Sequence, residues 1–409
     1  MPILLLCFII ASFATTAFTL ALDTRQSSFV MRHRNTVPAA FAGQVSLAEH
    51  QLAADYENAG LRFNGVEANF QLCLGLAWAT FGYDALFGRI ADHLGAGLTR
   101  SVVFIVAAIG ISSLLDLPFS VYRTFVIEQR FGFNRTTPLG FVVDKLKAAG
   151  LSLAFAVPLL YGLMALMRLG GLWWVWAWLG IMVVIIALME VYPRWIAPLF
   201  NHFTPLEGPL RTRVEALLQR CGFAASGLFV MDASRRSAHG NAYFSGLGRS
   251  KQIVLFDTLI ESNTEAELEA VLAHELGHFK LKHIVLGLVT TAVTLFFSLL
   301  AIGWLCRQPW LLPSFGISHQ DDALALIVCV LVVQMASPLL SLISNWISRR
   351  HEYQADDFAR QMVGAEPMIS ALVRLSRDNA STLTTDPLYA LIHFSHPPVP
   401  QRVQRLAQA

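Results

Sequence analysis

Charge is scarce in this chain. Only 14% of its 409 residues are Asp, Glu, Lys or Arg, against 55% hydrophobic, and the mean hydropathy is +0.53. A soluble multidomain enzyme needs a more polar surface, so this composition excludes one and leaves a chain that crosses a membrane several times. The net charge is near zero at +2, which removes any electrostatic reason to expect nucleic acid or a strongly acidic partner. Cysteine is thin as well. Cys7, Cys73, Cys221, Cys306 and Cys329 form no C-x-x-C and no close pair, so neither a thiolate metal knot nor a disulfide framework is expected.

What the chain has instead is long apolar runs. Seven segments, at about 1–22, 68–88, 101–120, 149–168, 172–192, 284–306 and 323–345, are near the length that spans a bilayer. A signal peptide competes for the first, but the run lacks a basic leading region and is long for one, which favours a retained helix. With the N-terminus outside, only Arg89, Arg100, Arg168 and Arg307 fall in outside loops and every other Lys and Arg falls inside. That bias puts the polar block and the tail on the cytoplasmic face. The sequons at Asn134 and Asn379 then lie inside and are chance matches.

The expected organisation follows. Residues 1–193 carry spans one to five, 194–283 form a soluble domain, 284–345 carry spans six and seven, and 346–409 return to that domain. The fold class is mainly α: a polytopic membrane protein with seven transmembrane helices plus a small α+β domain, in which a His-Glu-x-x-His run at 274–278 makes the expectation a zinc-metalloprotease domain. Within the polar block, Arg211 to Cys221 reads as an amphipathic helix, and 228–231, 241–244 and 251–256 as three short strands.

The chemistry is concentrated in Val271-Leu272-Ala273-His274-Glu275-Leu276-Gly277-His278. Positions four apart on a helix lie one above the other, so His274 and His278 can hold one Zn²⁺ through neutral imidazoles. Glu275 sits one residue round the turn. A carboxylate there can take a proton from metal-activated water and pass it to a leaving amine. Thr264 to Glu267 reads as a capping box, and Leu268, Leu272, Leu276 and Phe279 form an apolar stripe behind the ligand face. The competing reading is a pair of solvated helix histidines.

Two histidines do not complete a catalytic zinc site. His283 follows His278 by five residues and is expected to face the wrong way, and the longer H-E-x-x-H-x-x-G-x-x-H pattern fails because Leu281 and Ile284 stand where its Gly and His would be. The stretch Ser348 to Asp357 offers a ligand where the last span ends. On a continuing helix Glu352 and Asp356 share a face, so Glu352 can ligate zinc while Asp356 holds a ligand imidazole from behind. A solvated, charged helix end is the alternative. Near the terminus, Ser395-His396-Pro397-Pro398-Val399-Pro400-Gln401-Arg402 is held extended by its prolines, and His396 and Arg402 can donate to the oxyanion of an attacked peptide carbonyl, unless this is a plain surface loop. Asn241-Ala242-Tyr243 is the candidate strand edge for an extended peptide, with an ordinary supporting meander as the other reading.

Taken together these pieces resemble the type I CAAX prenyl proteases, integral-membrane zinc metalloproteases of the gluzincin group. The resemblance is carried by Arg130 to Thr137, Ile196 to Asn201, His274 to His278, Ser348 to Asp356 and His396 to Arg402, in that order. It implies one Zn²⁺ per chain on His274, His278 and Glu352, Glu275 as catalytic base, and Asn241, His396 and Arg402 on substrate or transition state. It also implies seven helices round a large water-filled chamber, and cleavage of isoprenylated C-a-a-X tails. The compact chain ends Leu406-Ala407-Gln408-Ala409 rather than in an ER-retrieval tetrapeptide, which points to a bacterial inner membrane with the site on the cytoplasmic side.

The expected function is therefore that of a membrane-embedded zinc endopeptidase acting on peptide or protein substrates, possibly prenylated, at the lipid bilayer. A general membrane-protein quality-control metalloprotease is the second enzyme reading. A channel or scaffold with a structural zinc is the non-enzymatic one, and a His/Glu set without cysteine argues against it.

Overall fold

The computed structural model describes residues 3–223, 226–246 and 251–408. The chain begins with α1 (Ile3–His33) and α2 (Leu47–Ala77), which a π-helical turn at Trp78–Gly82 joins to α3 (Tyr83–Ala91). Then come α4 (Leu98–Tyr122), continued by a π segment at Arg123–Glu128, α5 (Pro138–Leu169) and α6 (Trp173–Val191). Helix starts are specified locally. Ser46 and Glu49 make a capping box for α2, and Thr137 caps α5 with Pro138 at its first position, where a missing N–H costs nothing.

A polar unit follows. It contains β1 (Phe203–Pro205), α7 (Gly208–Arg220), β2 (Gly227–Met231), β3 (Ala242–Ser245), β4 (Gln252–Phe256), α8 (Asp257–Ser262) and α9 (Glu265–Lys280). The sheet order is β1-β2-β4-β3, with β2 and β4 parallel and the two outer strands antiparallel. Three of these strands were expected. The fourth, β1, is three residues long and ends in Pro205, too short for a period-two pattern.

After it come α10 (His283–Leu305), α11 (Asp322–Gln334), α12 (Ser337–Val363), α13 (Ala365–Asp378), α14 (Pro387–His393) and α15 (Val399–Gln408). Leu210, Val214 and Leu217 of α7, Ile253 and Leu255 of β4, Leu268, Leu272 and Leu276 of α9, Leu372 of α13 and Leu406 of α15 form one buried core. A second core, including Phe87, Phe104, Met164, Trp173 and Phe315, lies among the long helices.

Among the described residues five helices are long and apolar enough to cross a membrane: Ile3–His33, Leu98–Glu128, Pro138–Leu169, Trp173–Leu199 and His283–Leu305. A sixth arises if α11 and α12, bent by 55° at their junction, count as one. The expected segment 68–88 is not in this set. It lies in the long α2–α3 rod, where Asn69, Gln71 and Asp84 interrupt the apolar run, and Gln71 donates to Asp116 of α4 at 2.8 Å.

Contacts sort the loops into two ends. Asp84 accepts from Ser318 and faces His319 at 2.8 Å, Arg100 meets Asp321 at 3.0 Å, and Arg307 donates to the Gly171 carbonyl. At the opposite end of the rod, Glu49 lies 3.7 Å from Arg377 of α13, a helix that shares the core of the polar unit. The stretches holding Arg89, Arg100, Arg168 and Arg307 thus gather away from the polar unit.

Candidate metal centre

The Thr264–Glu267 capping box is present: the Thr264 side chain accepts from the Glu267 N–H, and the Glu267 carboxylate accepts from the Thr264 N–H at 2.7 Å. It starts α9 in register, and the stripe Leu268, Leu272 and Leu276 anchors that helix in the core. His274, Glu275 and His278 then project toward α12. The two helices come together at Gly277, where an added Cβ would lie 3.0 Å from the Ala355 Cα. A side chain at that point would push α12 away.

This close approach delivers Glu352. Its Oε1 lies 3.3 Å from His278 Nε2 and its Oε2 3.4 Å from His274 Nε2, while the two imidazole Nε2 atoms are 3.2 Å apart. One ligand atom from each of His274, His278 and Glu352 lies within 4.8 Å of the others. The donor set fits a divalent cation on a further ground. Glu352 is buried, and its Oε2 makes no hydrogen bond, having only Arg402 Nη1 at 3.5 Å and His274 Nε2 at 3.4 Å near it, so a buried carboxylate oxygen is left that a divalent cation would satisfy. The site also draws positive charge: burial works against it at His274, but the Asp356 and Glu352 carboxylates outweigh burial and raise the imidazole, so a divalent cation would take the place of a proton there.

Behind His274, its Nδ1 lies 2.9 Å from Asp356 Oδ1. Arg402 grips Asp356 with both arms, Nε on Oδ2 at 2.8 Å and Nη2 on Oδ1 at 2.6 Å, and turns Nη1 toward Glu352 Oε2 at 3.5 Å. Burial works against the guanidinium, but its carboxylate neighbours hold it firmly cationic. His396 approaches from the tail, with Nε2 3.3 Å from Glu352 Oε1 and Nδ1 facing Ser395 Oγ at 2.9 Å.

These groups border one cavity of about 400 Å³, shared by Asn241, Ala242, His274, Glu275, His278, Glu352, His396 and Arg402. Burial pushes the Glu275 carboxyl up, opposed by the two imidazoles. β3 is the end strand of the sheet, so Ala242 and Tyr243 lie on its edge, and Asn241 immediately precedes it with its carbonyl accepting from Phe256 N–H at 3.0 Å. Asn379 Oδ1 accepts from the Gly240 N–H at 3.0 Å and Asn134 Oδ1 from the Thr136 N–H at 2.8 Å, so both sequon asparagines hold backbone.

Sequence reasoning set His283 aside as a ligand, and missed only its contact with His278. His283 is not among the three candidate ligands, yet its Nδ1 lies 3.0 Å from His278 Nδ1 and its Nε2 2.9 Å from Gln354 Oε1. A metal on His278 Nε2 would leave the proton on its Nδ1, which would then donate to His283 Nδ1, while His283 Nε2–H would donate to Gln354 Oε1. The ring also stacks on His351, centroids 4.0 Å apart. The device is Lys282, left-handed at φ 60°, which turns the chain back between α9 and α10.

A His, His, Glu triad placed to hold a metal ion with a carboxylate beside it, in a chain of long apolar helices, is the pattern of a membrane metallopeptidase. Comparison with known proteins gives the family: a model for the N-terminal region of CAAX prenyl proteases, described as five membrane helices, matches residues 26–202, and the model of peptidase family M48 matches 206–409. The chain belongs to peptidase family M48, as a membrane metalloendopeptidase of the CAAX prenyl protease type. It is 34% identical over 382 residues to the CAAX prenyl protease 1 homolog of Arabidopsis thaliana, covering 91% of this chain and 90% of that one. The CAAX prenyl protease 1 homolog of Homo sapiens is 34% identical over 366 residues, covering 78% and 77%. The crystal structure of S. mikatae Ste24p superposes with a TM-score of 0.91 at 30% identity over 98% of each chain.

Proposed function

We propose that this protein removes the C-terminal three residues from prenylated C-a-a-X substrates, or cleaves related membrane-associated polypeptides, using one Zn²⁺ held by His274, His278 and Glu352. The observation that most supports this is the clustering of His274, His278 and the buried Glu352, whose Oε2 makes no hydrogen bond, with Glu275 on the same cavity. Zinc, when bound, supplies Lewis acidity that makes water nucleophilic near neutral pH and polarises the scissile carbonyl.

The chain's own residues do the rest. Glu275 takes the proton of the attacking water and returns it to the leaving amine; its raised affinity for protons suits it to carrying one between the two steps. His396 and Arg402 steady the oxyanion, Arg402 through the Nη1 that its grip on Asp356 leaves over. Asp356 keeps His274 in the tautomer whose Nε2 is free to ligate. The substrate backbone pairs with Asn241, Ala242 and Tyr243, whose edge position supports extended binding.

The topology belongs to the same proposal. Seven spans, with the α2–α3 rod among them, agree with Glu49 meeting Arg377 at one end while Asp84 meets His319 at the other. The site then lies on the cytoplasmic face, in a bacterial inner membrane, and the Lys and Arg distribution supports the face. The protease unit comprises 194–283 and 346–409.

The test is purified protein incubated with a farnesylated C-a-a-X peptide and its unmodified twin, each with and without chelator. Chelator-sensitive release of the tripeptide from the farnesylated peptide is expected. Chelator-insensitive cleavage would remove the metal, and equal turnover of both peptides would remove the lipid requirement while leaving a peptidase.

A further inference from the structure

Two stretches that carry the family resemblance, Arg130 to Thr137 and Ile196 to Asn201, contribute nothing to the metal centre, although the fold brings them together. They meet around Arg236. Its carbonyl accepts from the Arg135 N–H at 3.1 Å and from Thr136 Oγ1 at 3.2 Å. Its guanidinium donates to Asp144 at 2.8 and 3.1 Å and to Asn201 Oδ1 at 3.1 Å. Beside it is a concavity of about 440 Å³ bordered by Arg135, Lys147, Arg235 and Arg236, with Asp144 the single carboxylate on its wall.

Internal pairing leaves this pocket cationic. Arg236 is committed to Asp144, and Lys147 donates to the Leu199 carbonyl at 2.9 Å. Arg235 reaches Asp232 at 3.2 Å, yet its side chain is 66% exposed. The exposed Arg135 guanidinium makes no ion pair among the described residues. Four cations, Arg135, Lys147, Arg235 and Arg236, therefore meet two carboxylates, Asp144 and Asp232, and the hollow keeps the charges of Arg135 and Lys147 unneutralised.

The position of the pocket narrows the ligand. It sits where the apolar helices Pro138–Leu169 and Trp173–Leu199 reach the protease side; Leu139 on its wall is 74% exposed, and Leu146, next to Lys147 in the first helix, and Trp195, one turn before Leu199 in the second, are 67% and 74% exposed. Exposed apolar and aromatic side chains at the end of a span are those that sit in the interfacial layer of a bilayer. A soluble anion would use the cations and leave this border bare. One molecule with an anionic head and an apolar tail uses both, and basic pockets between membrane helices recognise phosphate headgroups in this way.

We propose that this pocket binds the phosphate headgroup of an anionic phospholipid, its acyl chains lying along Leu139, Leu146 and Trp195. Neither the metal nor the substrate assignment is needed for it. The contact has a route to the site: beyond Arg236, the Asn134–Ser237 bridge and the Ala238 N–H on the Phe133 carbonyl at 3.1 Å tie this stretch to the strap that enters the β3 edge at Asn241.

The experiment is native mass spectrometry of the full chain in detergent, titrated with dioleoyl phosphatidylglycerol or dioleoyl phosphatidylcholine. The expected result is one phosphatidylglycerol retained at least fivefold more tightly than phosphatidylcholine. R135Q/R235Q should erase that preference, while R350Q, which removes a charge outside the pocket, keeps it. Both pocket side chains are exposed, and R135Q alone, which breaks no ion pair, gives the same reading should the double variant unfold. Equal retention of the two lipids by the wild type overturns the proposal, as does an unchanged preference in R135Q/R235Q. Equal losses in R350Q and R135Q/R235Q would mean diffuse surface charge. Displacement of the lipid by equimolar glycerol 3-phosphate would mean an anion site with no use for the tail, and either result rejects the lipid site.

Discussion

Asp356 takes both arms of Arg402, at 2.6 and 2.8 Å, in the buried layer directly behind His274. A planar fork on a carboxylate is the geometry an ammonium cannot copy. Arg402→Met strands a buried carboxylate and should destabilise the protein by about 3–5 kcal/mol. Arg402→Lys should rescue only part of this. Chemical denaturation in detergent, following the protease unit, checks both.

Glu275 and Glu352 should part company on substitution. Glu275→Gln keeps the metal set and is expected to retain stoichiometric zinc while cleavage falls by about 10²–10⁴-fold. Glu352→Ala removes a ligand and should lose the zinc itself. Metal analysis of the two purified variants beside their turnover decides the assignment, and normal turnover by Glu275→Gln would falsify the base.

His283 makes a prediction that H-E-x-x-H alone does not. Without its Nδ1 acceptor, His278 loses the partner that fixes its tautomer, so His283→Ala should weaken zinc by about 10–100-fold, the usual cost of losing such an outer partner. Competition with a chromophoric chelator reads that affinity directly.

Gly277 should tolerate nothing larger. The alanine methyl would meet the Ala355 Cα at 3.0 Å and the Phe358 Cβ at 3.2 Å. Gly277→Ala should therefore lower the thermal midpoint and the zinc affinity together, whereas Gly287→Ala, with nothing within 4 Å, should change neither.

Asp386 gives the fold a pH dependence. Burial would raise its carboxyl, but Arg25 and the N–H groups of Tyr389 and Leu388 outweigh that and hold it below the usual range. A lowered carboxylate contributes stability above its unfolded pKa of about 3.9 and loses it as the pH falls through the lower folded value. The clasp joins α1 to α14, just ahead of His396. The stability gap between wild type and Asp386→Asn should hold steady from pH 8 to pH 5 and close only in stronger acid, as thermal midpoints across that range would show.

Much of the site was legible because its logic is local. The Thr264–Glu267 box, the four-residue spacing of His274 and His278, and the shared face of Glu352 and Asp356 are consequences of helical periodicity. The contact of His283 with His278 escaped because periodicity stops at Lys282: a single left-handed residue reverses the direction a helical wheel assigns. The bend between α11 and α12 escaped for a related reason, since one hydropathy window covers both helices while Pro338 at the start of α12 disfavours continuation.

By itself the sequence determined that the chain is a membrane protein, that α9 carries two imidazoles and a carboxylate on adjacent faces, and that a further acidic pair follows the last apolar run. Each of these depends on neighbours within a few turns. Only the tertiary structure decided that Gly277 lets α12 come close enough for Glu352 to face both imidazoles, that Arg402 closes behind Asp356, and that Arg135 and Arg236 share one hollow. Those are contacts between residues far apart in the chain, set by packing, and no pattern along one helix contains them.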